Sequence, residues 1–329
     1  MLTKSKFQPA WWLRNAHLQT LWAAKVHPAP SPTISQERLT TPDGDFVDLY
    51  STRITDGPVA VIFHGLTGSF KSRYVRSVMS VLCARGFNTV LMHFRGCSGE
   101  PNRTHGSYHS GHTVDIEFVI NTVAKRFHDK KIVAIGYSLG GNALLKYLAT
   151  CGTIPLHYAV SVCPPLVLKE GAARINTGFS RVYQNTLIKQ MRSALRQKQA
   201  QYPELGIDKY NYESVSDFIT WDDQITAPLH GYVSGEDYYR QASTLNDLKT
   251  ISTDTHVIFS TDDPFFTQRC IPQSNEALSD KVTFELVAGA GHVGFISGAI
   301  PGFGTDWLRQ RVAELVEQAV SPPTNTSIT

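Results

Sequence analysis

Apolar residues along the chain fall into short runs with two different rhythms, and the two alternate. "ISQERLTTPDGDFVDLYST" sets two alternating segments around "PDG", which predicts an antiparallel hairpin at a sheet edge. "VAVIFHG" and "NTVLMHF" are continuous apolar runs of the kind a strand buried on both faces requires. Between them, "KSRYVRSVMSVLCARGF" puts Tyr74, Val75, Val78, Met79 and Leu82 on one helical face. A further helix is predicted in "VDIEFVINTVAKRF", then a strand over 131–135, then a helix over 142–149 with Ala143, Leu144, Tyr147 and Leu148 in one stripe. After "HYAVSVCPP" the rhythm stops, and residues 164–255 hold helical patterns and aromatic-rich loops without a clear parallel strand. "HVIFST" and "VTFELV" resume it, and "DWLRQRVAELVEQAV" closes it with Leu308, Val312, Leu315 and Val316 on one face. This alternation predicts an α/β fold, a mostly parallel central sheet flanked by helices. It also predicts a single domain over 1–320, a helical lid inserted at about 164–255 near the carboxyl ends of the strands, and a disordered polar tail over 321–329.

One junction between the rhythms carries chemistry. In "GYSLGG" a serine, Ser138, stands between glycines where the strand over 131–135 gives way to a helix. That is the setting of a nucleophile elbow: a tight strand-to-helix turn presents the serine hydroxyl, and small neighbours let strand and helix cross closely. A serine hydroxyl is a weak nucleophile at neutral pH and needs a histidine to take its proton and an acid to orient that histidine. In the elbow order of serine, acid and histidine, "STDDPFF" offers Asp262 and Asp263 just past one strand, and "GAGHVGF" offers His292 just past the next. Successive side chains leaving a strand point to opposite faces, so one of the two aspartates is expected to reach His292. Pro264 biases the residue before it toward an extended conformation, which favours Asp263 and leaves Asp262 a turn role.

Acyl transfer also needs donors for the developing oxyanion. The expected backbone N–H groups are those of Leu139, next to the serine, and Leu66, in the small-residue loop "HGLTGS". His64 precedes the nucleophile and reads as structural. Cys97 and Ser98 in "HFRGCSGEPNR" form a rival nucleophile pair that lacks the elbow, so that segment reads as a loop beside the site.

Composition narrows the picture further. With 42% apolar and 18% charged residues, no apolar run of membrane-spanning length and no apolar stretch after the first lysines, the expectation is a cytoplasmic protein without a transmembrane segment. A net charge of +3 and the lack of a reading-helix or RNA-binding motif argue against nucleic acid as partner. The five cysteines show no paired spacing, so neither a disulfide framework nor a metal site is expected, and they read as buried small hydrophobes. No cofactor is expected. Between Lys169 and Lys198 there are seven Lys or Arg and one acid, and Leu187, Ile188, Met191 and Leu195 form an apolar stripe beside them. This reads as a lid helix with a solvated basic face, with transient contact to an anionic membrane surface as the sharper alternative.

With these pieces in place the chain resembles the α/β-hydrolase superfamily. More narrowly it resembles the YheT-type bacterial esterases, grouped with eukaryotic phospholipid hydrolases and medium-chain ester synthases as the AB-hydrolase 4 family. The resemblance runs from "WWLRNAHLQT" through "FHGLTGS", "FRGCSG", "GYSLGGN" and "DDPF" to "GAGHVGF". It implies an α/β-hydrolase fold and places the charge-relay residues on Ser138, Asp263 and His292. The expected activity is serine-dependent hydrolysis of a small-molecule ester, short- or medium-chain or lipid-like. Acyl transfer to an alcohol and a catalytically idle binding protein are the alternatives. "WWLRNAHLQT" has no chemical role in this reading, and Trp11, Trp12 and Trp22 are expected to pack on the sheet or lid.

Overall fold

Parallel strands need long crossovers, and helices supply them here, so the alternating rhythm becomes a layered structure. The computed structural model describes residues 1–322. The strands are β1 (Leu2–Lys4), β2 (Ser35–Thr40), β3 (Phe46–Ser51), β4 (Val59–Phe63), β5 (Asn88–His93), β6 (Ile132–Tyr137), β7 (Tyr158–Val162), β8 (Thr255–Ser260) and β9 (Val282–Val287). They form one sheet in the order β1-β9-β8-β7-β6-β4-β5-β3-β2. Every pairing from β5 across to β1 is parallel, whereas β2, β3 and β5 pair antiparallel. The expected edge hairpin is therefore present.

The helices are α1 (Ala16–Lys25), α2 (Arg73–Ala84), α3 (Val114–Arg126), α4 (Leu139–Thr150), α5 (Leu168–Ile175), α6 (Arg181–Gln201), α7 (Phe218–Trp221), α8 (Ala227–Leu229), α9 (Gly235–Ala242) and α10 (Trp307–Val320). α2 packs with α1 and α10, and α3 packs with α4. β4, β6 and β8 are buried at every position, as strands covered on both faces must be. Helices α5 to α9 all lie between β7 and β8, within the segment where the sequence lost its strand rhythm. Part of that insertion has an apolar core of its own, with Ile188, Leu195, Tyr212, Trp221 and Ile225 in one cluster.

Three features escaped the periodicity, the first being α1, whose buried positions Gln19 and Thr20 are polar. Strand β1 adds to the far edge beside β9, and β10 (Ile296–Ser297) pairs with β11 (Thr305–Asp306). Runs of two or three residues carry no readable period. Two other expectations need correction. Of the cysteines Cys163 and Cys270 are fully buried and Cys97 and Cys151 half-buried, but Cys83 is exposed, because it lies on the outer side of α2. The tryptophans pack on neither the nine-stranded sheet nor the insertion but beside β10: Trp12 and Trp22 meet edge to face at 5.0 Å next to Ala10, Leu13 and Ile296, and Trp11 is exposed. Of the tail over 321–329, residues 323–329 lie outside the described residues. No helix among the described residues is long and apolar enough to cross a membrane.

Candidate active site

The elbow follows from local sterics. β6 runs to Tyr137 and α4 begins at Leu139, so Ser138 alone makes the turn, with φ 51° and ψ −120°. Such a backbone conformation is costly for a residue with a Cβ and persists only where its surroundings fix it. The crossing is close: a Cβ on Gly136 would lie 2.5 Å from the Gly140 carbonyl oxygen, which explains the glycine there.

β8 and β9 bring the other two expected residues to the same edge of the sheet. Ser138 Oγ lies 2.9 Å from His292 Nε2, and His292 Nδ1 lies 2.8 Å from Asp263 Oδ2. A carboxylate only accepts, so Nδ1 carries the proton and Nε2 is left to accept from the serine. Asp263 is buried, and its other oxygen accepts the Phe265 N–H at 2.8 Å. The Phe265 ring stacks on His292 with centroids 4.0 Å apart and planes at 8°. "DDPFF" thus supplies the carboxyl that meets His292, a backbone donor that orients it, and an aromatic wall for the imidazole; sequence reasoning identified only the carboxyl. Asp262 turns away, and its carboxylate accepts the Gly289 N–H at 2.7 Å.

Leu66 and Leu139 both line the cavity beside Ser138, and among the described residues neither backbone N–H has an acceptor. Their loop is held from below. Tyr74 Oη accepts the Gly65 N–H and Tyr108 Oη accepts the Thr67 N–H, each at 2.8 Å. His64 is fully buried, donates from Nδ1 to the Gly65 carbonyl and accepts the Phe94 N–H at Nε2. Burial pushes its pKa down to about 3, so it stays neutral as a structural link. The rival Cys97 thiol is pushed up to about 12 by burial and is therefore not a thiolate nucleophile at neutral pH. Arg95 in the same loop is locked against Asp43, Asp45 and Asp115.

The early motif "RNAHLQT" has a place here that sequence reasoning did not find. Asn15 caps α1, and two residues of that helix grip the loop that carries the base. Thr20 Oγ1 accepts the His292 N–H at 2.9 Å. Gln19, fully buried, donates to the Leu13 and Ile296 carbonyls and accepts the Ile296 N–H. Helix and loop are so close that a Cβ on Gly294 would lie 2.5 Å from the Gln19 carbonyl oxygen. The spacing of apolar residues could not have disclosed this, since the buried positions of α1 are polar.

The cavity, about 130 Å³, is walled by residues of α5, α6 and the α7 region together with Phe265 and Phe266. Thr67 Oγ1 donates to Gln190 of α6 at 2.6 Å, joining the insertion to the Leu66 loop. The basic segment is a solvated face only in part: Arg181 and Lys189 are exposed, whereas three other cations are engaged. Lys198 is buried and donates to Asn102 and to the carbonyls of His105 and Gly106; Arg192 donates to the Tyr212 and Val215 carbonyls; Arg196 pairs with Glu213 at 2.6 Å. These three groups close the insertion onto itself and onto the loop over 102–106. The tightest grouping of metal-ligating types among the described residues is Cys163, Asp263 and His292. Two of its members already share a hydrogen bond, and burial holds the Cys163 thiol well above its ordinary pKa.

Comparison with known proteins gives a consistent result. Residues 58–299 match the family described as alpha/beta hydrolase fold. The chain is 39% identical over 320 residues to the Escherichia coli (strain K12) protein named "Putative esterase YheT", covering 95% of this chain and 93% of that one. It is 26% identical over 309 residues to "Phospholipase ABHD3" of Mus musculus, covering 90% and 74%. Among solved structures, the Pyrococcus furiosus esterase Pf2001 superposes with a TM-score of 0.58 at 17% identity, covering 88% and 92% of the two chains, a likeness of fold.

Proposed function

Because the chain belongs to the alpha/beta hydrolase fold family, and within it to the YheT-type group, we propose that it is a carboxylic-ester hydrolase working through an acyl-serine intermediate. The observation that carries this reading is the unbroken hydrogen-bonded line Asp263–His292–Ser138, ending in a cavity with apolar walls. Ser138 Oγ attacks the ester carbonyl carbon while His292 Nε2 takes its proton. Asp263 holds the Nδ1–H tautomer and stabilises the imidazolium. The N–H groups of Leu66 and Leu139 donate to the carbonyl oxygen as it gains charge. His292 then returns the proton to the leaving alkoxide, the alcohol departs, and water activated by the same histidine releases the acid.

The inserted helices act as a lid. They supply most of the apolar wall, which suits a short- or medium-chain acyl group or a lipid-like ester. That substrate class is compatible with the esterase and phospholipase names of the relatives. A panel of esters of graded acyl length, run with and without added alcohol and with Ser138→Ala as the blank, tests the proposal. Hydrolysis should depend on acyl length and vanish in the variant. Product ester formed with added alcohol would measure transfer, and an undiminished rate in Ser138→Ala would refute the mechanism.

A further inference from the structure

The wall of the cavity contains a carboxyl for which the acyl-serine chemistry has no use. Leu168, Ile175, Met191, Phe218 and Phe266 make most of the lining apolar, yet Asp222 is part of it. Asp222 opens a π-helical turn, Asp222–Thr226, between α7 and α8. Turns of this kind are frequent at functional sites, because they break regular packing to aim a side chain. Within the turn the Thr226 hydroxyl donates to Oδ1 at 2.7 Å, and the Tyr239 hydroxyl of α9 donates to Oδ2 at 2.9 Å. Among the described residues no lysine or arginine lines the cavity, burial holds the lining His109 well below its ordinary pKa, and the charged side chain that bears on Asp222 is another acid, Asp217. Burial, with Asp217 adding to it, pushes the Asp222 carboxyl up to about 7.

A carboxyl against an apolar wall without a cation costs stability that a neutral residue of similar size would not. A carboxyl offers about four acceptor positions, and two hydroxyl donors leave room for a third group. The missing donor can come from the substrate. An ammonium would have to shed its water into a cavity whose walls are mostly apolar and hold one carboxylate, a desolvation that such a site repays poorly. A hydroxyl suits the site better: it donates to the ionised carboxyl and accepts from the protonated one, so it is held in either state.

We propose that Asp222 is a specificity-determining residue that hydrogen-bonds a hydroxyl group of the ester, so that the preferred substrates are hydroxylated esters. This rests on the ester-hydrolase reading above. The hydroxyl belongs either to the acyl chain or to the alcohol part, and Asp222 selects for it against a plain alkyl group.

Matched pairs separate these sources: methyl hexanoate against methyl 6-hydroxyhexanoate, and hexyl acetate against 6-hydroxyhexyl acetate, with methyl 6-aminohexanoate as the cationic arm. The wild type should prefer the hydroxylated member of at least one pair by about tenfold or more in kcat/KM. In Asp222→Leu that ratio should fall to about one, and Asp222→Asn, which keeps an acceptor, should retain part of it. Ratios are read within each variant, so a change in overall activity cancels. Equal ratios in wild type and both variants, or preference for the amino ester, would overturn the proposal. If the wild type cleaves none of these esters, the ester-hydrolase reading is what fails. Calorimetric binding of hexane-1,6-diol against hexan-1-ol then decides on Asp222 alone: diol preference lost in Asp222→Leu supports it, and no preference in the wild type overturns it.

Discussion

At Ser138 the positive φ of 51° and the 2.9 Å contact to His292 belong together: the turn that strains the backbone is what lifts the hydroxyl toward the base. The adjacent acids show how finely one residue position matters. Asp263 and Asp262 are chemically identical, but only Asp263 meets His292, while Asp262 holds the Gly289 N–H. Asp263→Asn should therefore lower kcat on the order of 10⁴-fold with the fold retained, because an amide can present its NH2 to Nδ1 and favour the wrong tautomer. Asp262→Asn should cost far less, and steady-state kinetics of both purified variants, with circular dichroism as the folding control, measures the difference. Pro264 made this choice legible from sequence. Phe265 was not legible, since stacking on a histidine from a neighbouring loop leaves no periodic mark.

Among the elements, α1 has the least conventional composition for its task. Besides the apolar contact of Trp22, this helix uses Gln19 and Thr20 to recognise backbone groups of the His292 loop. Val293, next to the base, has φ 52°, so the loop needs outside support to hold its shape. Thr20→Val keeps the volume but takes the acceptor from the half-buried His292 N–H, a loss of about 1 kcal/mol. The expected result is a kcat reduced about tenfold with KM little changed, and recovery in Thr20→Ser, which restores the acceptor. Equal falls in Thr20→Val and Thr20→Ser would show that packing, and not the hydrogen bond, was lost. The strands and long helices were legible because each keeps one period over several turns or pleats. Strand β1 and the β10–β11 pair were too short to do so, and the role of α1 was hidden because it is carried by polar residues. The basic run on α6 was legible only in part for a related reason: composition counts charges without their partners, which Arg192, Arg196 and Lys198 have, while Arg181 and Lys189 stay exposed.

Across the whole molecule, charged groups tie distant parts of the chain to the sheet. Glu285 of β9 is buried between His256 of β8 and Arg311 of α10, at 2.7 and 2.9 Å. Burial by itself would raise its pKa, but the hydrogen bonds from His256, Ser5 and Arg311 outweigh that and hold it at about 2. A carboxyl depressed in the folded state stabilises above its unfolded pKa of about 4.3 and loses that contribution as pH falls toward 2. Glu285→Gln should thus lower Tm at pH 7, and the gap from wild type should close as melts are taken from about pH 4 down to pH 2. A gap that stays constant over that range would mean that the ionised form is not what stabilises. The central claim, however, is chemical: a serine at one strand end is activated by a histidine presented at another. Its most direct measurement is covalent labelling by an organophosphonate that mimics the acyl-transfer intermediate, followed by mass spectrometry of the intact protein and its peptides. The account predicts one adduct, on the peptide containing Ser138, which is absent in Ser138→Ala and lost in His292→Ala. Labelling of Ser138→Ala at the wild-type rate, or an adduct on Cys97 or Ser98, would contradict it.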